Sequence, residues 1–168
     1  MNSLAIDQRN GQRVTIDSPI GPLTLYAEND RLLEVRFGPR PDSDAGSFPS
    51  DGELLPILGQ TEREIGEYFD GLRREFSVSL TMRGTPFQNQ VWRGLNAISF
   101  GETCSYSHLA CRVGSPRSAR AVGVALGRNP IAIIVPCHRV VGADGSLVGF
   151  GGGLEIKRRL LEHEARLR

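Results

Sequence analysis

The sequence predicts an α+β fold. A small N-terminal α/β domain with a short antiparallel sheet is expected over residues 1–82, and a mostly helical C-terminal domain with a winged-helix-like helix-turn-helix over 83–168. Three observations carry this prediction. Between Val14 and Phe37 short β-prone runs are broken by Pro, Gly, Asn and Asp, as strands and turns require. After Thr85 apolar residues return at helical spacing instead. Arg83-Gly84-Thr85-Pro86 separates the two patterns.

Val14 to Asp17 and Leu23 to Ala27 read as strands, and Ser18-Pro19-Ile20-Gly21-Pro22 as the turn between them. Asn29-Asp30 is a second turn signal, and Leu32, Leu33, Val35 and Phe37 form a third, partly alternating strand. Gly38 to Gly52, rich in Pro and small polar residues, reads as a loop. Leu54 to Leu72 reads as an amphipathic helix with Leu58, Ile65, Phe69 and Leu72 on one face, closed by Gly71. Phe76 to Met82 alternates again, as an edge strand or as a linker.

Thr85-Pro86 has the form of an N-cap followed by Pro at the first helical position. Phe87, Val91, Leu95 and Ile98 carry that helix toward Gly101. Ser105 to Val113 reads as a short helix ended by Gly114, and Ser115-Pro116 as the start of the next. On that helix Ala119, Val122 and Leu126 share one face, and Arg117, Arg120 and Arg128 the other. Helix, glycine turn and arginine-faced helix make the pattern of a helix-turn-helix. An ordinary helical hairpin with a solvated basic face gives the same pattern. Ile131 to Val135 is an apolar run that delivers Pro136-Cys137-His138-Arg139-Val140, and Gly142 to Gly153 is a glycine-rich loop. The last helix places Ile156, Leu160 and Leu167 on one face, with Glu164 in the same stripe.

The 168 residues carry a net charge of only +1. That average hides an asymmetry, because residues 1–75 hold 8 basic and 14 acidic side chains and residues 76–168 hold 12 and 5. Residues 83–139 contain seven Arg and one acid, Glu102. Such a distribution points to a polyanion on the second half. No apolar run approaches the roughly 18 residues of a membrane span, and Met1 to Asp7 lacks the pattern of a signal peptide. Cys104, Cys111 and Cys137 show no CxxC spacing, which points to reduced thiols in the cytoplasm and to no metal centre.

Cys137 stands apart because His138 and Arg139 follow it. An adjacent imidazole or cation lowers a thiol's pKa toward the nucleophilic thiolate. Glu164, on the inward stripe of the last helix, is the candidate to orient the base, since an unpaired carboxylate there would be costly. A Cys-His pair suits acyl transfer and alkyl transfer alike. The arginine-faced helix just before the thiol favours chemistry on a nucleic-acid base. A cysteine hydrolase and a DNA-binding regulator without chemistry are the competing classes.

Pro136-Cys137-His138-Arg139-Val140 resembles the active-site motif of the O6-alkylguanine-DNA alkyltransferases, also called methylated-DNA–protein-cysteine methyltransferases. Phe100-Gly101-Glu102 with Ser105-Tyr106, Ala119-Arg120-Ala121-Val122-Gly123, Asn129-Pro130, Gly152-Gly153-Leu154 and His163-Glu164 follow in that family's order and approximate spacing. The motifs span residues 85–166. The first half resembles the family only in layout, a small α/β domain of ribonuclease-H-like type.

The resemblance implies DNA repair by base flipping and irreversible, single-turnover (suicide) alkyl transfer from O6-alkylguanine, and from O4-methylthymine, to Cys137, without a cofactor. It implies that His138 activates the thiol, commonly through a water, that Glu164 orients His138, and that Asn129 braces the turn holding the site. Tyr106 would hydrogen-bond the flipped base and help rotate its phosphate, and Arg120 would fill the vacated place in the duplex. Ala119, Ala121 and Gly123 would be the small residues of a recognition helix in the minor groove. Backbone groups of Val140 and Gly151, with the ring of Phe150, would wall the base pocket. Phe150 and Gly151 stand where some members carry Tyr and Ser, and the Cys and His set with which some members bind zinc is missing. The implied partner is double-stranded DNA bound by a monomer away from any membrane, with cooperativity on DNA left open.

Overall fold

The computed structural model describes residues 11–39 and 54–168. The loop expected from Gly38 to Gly52 falls almost wholly outside the described residues. The chain opens with an antiparallel meander of β1 (Gly11–Ile16), β2 (Leu23–Glu28) and β3 (Arg31–Phe37), with β2 in the middle. Leu23, Leu25 and Ala27 of β2 and Leu32 and Val35 of β3 are buried. Helix α1 (Pro56–Phe69) packs on this sheet through a buried face that includes Leu58, Ile65 and Tyr68. It is shorter than the sequence suggests. Pro56 opens it, the turn at Asp70-Gly71 ends it with Gly71 at φ +76°, and Leu72 is left exposed beyond it.

A bulge in β3 decides what the sheet holds. Leu25 pairs with Val35 and Tyr26 with Glu34, but Ala27 pairs with Leu32, so Leu33 is an extra residue. In a regular strand, residues three apart turn their backbone groups to opposite edges. The bulge brings Leu32 and Val35 to the same outer edge. There the Leu32 N–H donates to Ser79 O at 2.9 Å, and the Leu32 carbonyl accepts from Thr81 N–H at 2.9 Å. The Val35 N–H donates to Pro130 O at 2.9 Å, and the Val35 carbonyl accepts from Ala132 N–H at 3.1 Å. Phe76 to Met82 is therefore neither a full edge strand nor a slack linker, since Leu80 makes a single parallel bridge to Leu32. Ile131 makes a like bridge to Val35. The sheet is thus stitched to the apolar run that precedes Cys137.

Helix α2 (Pro86–Leu95) begins as the sequence implies. Thr85 Oγ1 accepts from the Gln88 N–H while the Gln88 side chain accepts from the Thr85 N–H, a complete capping box. Then come β4 (Cys104–Ser105), α3 (Tyr106–Arg112) and α4 (Ala119–Gly127). Helix α4 starts later than expected. Ser115 to Ser118 form a turn closed by Ser118 N–H to Ser115 O at 2.9 Å, and the first helical bond runs from Val122 N–H to Ser118 O at 2.8 Å. Pro116 occupies the second position of that turn, where its fixed φ fits, and Arg117 lies in the turn rather than on the helix. Helices α2, α3 and α4 pack together, and the buried Trp92 donates from Nε1 to Ala125 O at 2.8 Å. Residues Cys137–Arg139 make one 3₁₀ turn, after which β5 (Val140–Val141) pairs parallel with β4. Helix α5 (Leu154–Arg166) closes the chain and buries Lys157, Leu160 and Glu164. No helix among the described residues is long and apolar enough to cross a membrane.

Val35→Pro removes the N–H that Pro130 O accepts and leaves that carbonyl unpaired. It should lower the unfolding free energy in urea by about 1–3 kcal/mol, before any backbone strain is counted. Fluorescence of Trp92, in the other half of the chain, should report the shifted transition. A transition that leaves Trp92 unmoved would contradict the stitching of the two halves.

Candidate active site and nucleic-acid interface

Cys137 lies at a cavity of about 540 Å³ between α4 and the loop before α5. Arg120, Gly123, Val124, Leu126 and Gly127 line one side, Val148 to Gly151 the other, and Tyr106 of α3 closes an end. A second cavity, of about 270 Å³, reaches Cys137 from the side of β3, past Val35, Phe37, Asn129 and Ala132. The sulfur is delivered by tight turns. Val135 N–H donates to Ile131 O at 3.0 Å and Cys137 N–H to Val135 O at 2.8 Å. Ile133 takes φ +71°, a conformation a β-branched residue rarely adopts. Asn129 fastens this run at three points. Its Nδ2 donates to Val135 O at 2.8 Å and to Cys137 Sγ at 3.1 Å, and its Oδ1 accepts from Ile131 N–H at 3.1 Å.

Behind the thiol sits the buried carboxylate of Glu164. Its Oε1 accepts from Tyr68 Oη at 2.8 Å, from Arg139 Nη2 at 3.0 Å and from His138 Nε2 at 2.7 Å. Its Oε2 accepts from Arg139 Nε and Gly101 N–H, each at 3.0 Å. Burial alone would raise the pKa of this carboxyl, but the bonds from His138 and Arg139 and their charge hold it far below the usual carboxylate range. A carboxylate only accepts hydrogen bonds, so the proton of the neutral His138 ring sits on Nε2. Nδ1 then carries the free lone pair, and this atom is buried with no hydrogen-bond partner among the described residues.

Burial pushes the pKa of His138 down and that of Cys137 up. Burial thus works against the charged form of both groups. For Cys137 this direction is opposite to the lowering expected from His138 and Arg139 beside it in sequence. The reason is directional. Arg139 is buried with its guanidinium turned to Glu164 and to Ile98 O, the latter at 2.7 Å, so its charge is matched there.

The other expected residues divide in the same way. Arg120 is exposed and lines the cavity with Gly123, Phe150 and Gly151. Tyr106 donates its hydroxyl to Val148 O at 2.8 Å. Ala119 and Ala121 lie on α4 outside the cavity lining, and Ala121 is exposed. Val140 is fully buried and does not line the cavity, because its backbone is committed to Cys104 in the β4–β5 ladder. The guanidinium groups of Arg117, Arg120 and Arg128 are exposed and unpaired among the described residues. Arg83 is not free in this way, since it pairs with Glu28 at 2.5 Å. The sequence reading missed Tyr68, Val148 and Lys157. Tyr68 stands 96 positions from Glu164, and the one available signal was its spacing of three from Ile65 on α1.

Glu164→Gln leaves Arg139 buried without its counter-charge and should cost about 3–5 kcal/mol in urea unfolding at neutral pH. The folded-state pKa of Glu164 lies below its unfolded value of 4.5, so its contribution is complete above that value and is lost as pH falls further. The gap between wild type and variant should therefore stay constant around neutrality and narrow below about pH 4.5. A gap independent of pH would contradict the assignment of charge.

Two family models match the chain: "6-O-methylguanine DNA methyltransferase, ribonuclease-like domain" over residues 13–82, and "6-O-methylguanine DNA methyltransferase, DNA binding domain" over residues 86–166. The chain is 50% identical over 155 residues to the methylated-DNA–protein-cysteine methyltransferase of Mycobacterium bovis, covering 89% of this chain and 90% of that protein. Against the protein of that description from Methanosarcina acetivorans it is 43% identical over 150 residues, covering 88% and 94%. The crystal structure of the Mycobacterium tuberculosis O6-methylguanine methyltransferase superposes with a TM-score of 0.83 at 46% identity, over 94% of each chain. A crystal structure of Mycobacterium tuberculosis OGT in complex with DNA superposes with a TM-score of 0.82 at 46% identity, over 93% of this chain and 94% of that one. Matched in both halves at this level, the chain belongs to the 6-O-methylguanine DNA methyltransferase family, the methylated-DNA–protein-cysteine methyltransferases.

Proposed function

We propose that this protein repairs duplex DNA by taking the alkyl group of O6-alkylguanine, and of O4-methylthymine, onto its own Cys137, once per molecule. The observation that carries the reading is a buried thiol at a base-sized cavity, followed in sequence by an imidazole whose Nε2 is fixed on a buried carboxylate. As attack begins, the thiol proton passes to Nδ1 of His138 through a water. The imidazolium that forms faces Glu164, which stabilises it. The sulfur attacks the alkyl carbon in line, the S–C bond forms as the C–O6 bond breaks, and the purine leaves with the electron pair. Tyr106, donating to the ring of the base, and the Gly151 N–H near O6 disperse that charge. The thioether left on Cys137 faces no group that could remove it, so the protein is spent.

A stacked base cannot reach this sulfur, so the nucleotide turns out of the duplex at a cost of a few kcal/mol. Arg120 at the cavity fills the gap, and the small Ala119, Ala121 and Gly123 let α4 approach the minor groove. With the two helices α3 and α4 and their turn, this makes a helix-turn-helix used from the minor-groove side. Arg117 and Arg128 meet phosphates. Phe150 stacks on the base, Asn129 keeps the thiol in place, and Val140 supports the pocket from behind through its strand pairing. Residues 1–82 act as a bracing domain and 83–168 as the DNA-binding and acceptor domain of a cytoplasmic monomer that uses no cofactor.

Mixing the protein with a duplex that carries one labelled O6-methylguanine tests this. Label should move to Cys137 and stop at one per protein. Label that stays on the DNA, or turnover that continues, would overturn the reading. In a second arm, Arg120→Ala should slow transfer from the duplex about tenfold or more, in line with the cost of base extrusion, and leave reaction with the free base nearly unchanged. Equal slowing on both substrates would remove Arg120 from the flipping step.

A further inference from the structure

Lys157 is the only lysine in the chain, against 19 arginines. It is fully buried and makes no ion pair with a carboxylate among the described residues. A buried cation without a counter-ion is costly, so such a group is retained where its position does something. Nζ of Lys157 donates to the carbonyl of Val148 at 2.9 Å and lies 5.9 Å from the centre of the Tyr106 ring. The Tyr106 hydroxyl donates to the same carbonyl at 2.8 Å. One oxygen thus holds two donors, a phenol from α3 and an ammonium from α5. That oxygen begins the stretch Val148 to Gly151, which walls the cavity opposite α4. Burial pulls the pKa of Lys157 down, and negative charge formed on Cys137 would oppose this, so the ammonium lies within electrostatic reach of a thiolate generated there.

The two donors have different prospects once a base enters. The phenol has to leave Val148 O if it is to donate to the purine, which is the role given to Tyr106 above, and the inference rests on that reading. The ammonium has no such second task. We propose that Lys157 is a positioning residue of the base pocket: it keeps the Val148 carbonyl, and with it the wall 148–151, in place when Tyr106 hands its hydrogen bond to the base. Leucine or methionine would fill the volume but hold nothing.

The test uses the full chain with Cys137→Ser, which binds the lesion without accepting the alkyl group. Because the chain has a single lysine, labelling lysine with 15N gives one Nζ signal. On adding a duplex with one O6-methylguanine, that signal should persist with slow water exchange, and the amides of Gly149 to Gly151 should exchange at least tenfold more slowly than with lesion-free duplex. In the same background Lys157→Met should abolish this lesion-dependent protection. In the protein that keeps Cys137, Lys157→Met should slow methyl transfer at saturating duplex about tenfold. Loss of the Nζ signal in the complex would overturn the proposal, and so would protection that survives Lys157→Met. If Lys157→Met does not fold, the Nζ signal alone decides. Failure of the protein with Cys137 to accept label from the duplex would instead sink the functional reading, whereas transfer with indifference to Lys157 would sink this inference only.

Discussion

The carboxylate of Glu164 is where four distant parts of the chain meet. Helix α5 supplies it, α1 sends Tyr68, the turn before β4 sends the Gly101 N–H, and the 3₁₀ turn sends His138 and Arg139. A carboxylate out of reach of water is tolerable only when its lone pairs are filled and its charge is matched. Meeting that demand fixes each contributor. Gly101 takes φ +76°, a conformation that suits glycine, and so turns its N–H to Oε2. Tyr68 comes from the N-terminal half, so α1 reaches the Glu164 carboxylate although none of its residues lines the cavity at Cys137. Arg139, next to the nucleophile in sequence, is turned away from it to neutralise Glu164.

From that arrangement follows a particular kind of reactivity. The charge of Arg139 is matched by Glu164, burial pushes the pKa of the Cys137 thiol up and that of the His138 imidazole down, and Nδ1 of that ring has no hydrogen-bond partner among the described residues. In the proposed reaction the nucleophile is made at the moment of attack by a short proton transfer rather than stored as a thiolate. The N-terminal half contributes rigidity to both sides of the thiol. The bulged edge of β3 holds residues 130–132 on one side. On the other, Phe37 at the end of β3 packs against Phe150 with ring centres 5.3 Å apart. Gly152 permits this, since a Cβ there would come within 2.6 Å of the Phe37 ring.

Much of this was legible in the sequence, and the failures share one cause. The strands followed from alternation, α2 from Thr85-Pro86, and the inward position of Glu164 from the apolar stripe of α5. Cys137 was picked out by its neighbours and by the motifs around it. Ser115-Pro116 misled because a helix cap and a β-turn ask for the same two residues, and only the bond from Ser118 to Ser115 separates them. Arg139 misled because adjacency in sequence says nothing about where a side chain points within a 3₁₀ turn. Tyr68, Lys157 and the bulge at Leu33 left no local mark, since each matters through a partner many residues away. The near-neutral total charge was an average of this kind too: Arg83 and Arg139 are matched internally, and the exposed guanidinium groups of Arg117, Arg120 and Arg128, unpaired among the described residues, lie along the turn before α4 and on that helix and its end.

The resting protonation of the Cys137–His138–Glu164 set decides how the thiol is activated in the proposed reaction. Nitrogen NMR of the protein with 15N-labelled histidine, with His138 assigned against His108 and His163, measures it directly. The expected result is a neutral His138 ring at neutral pH, protonated on Nε2 and bare on Nδ1. A His138 ring protonated on both nitrogens, paired with a Cys137 thiolate in the free protein, would contradict it.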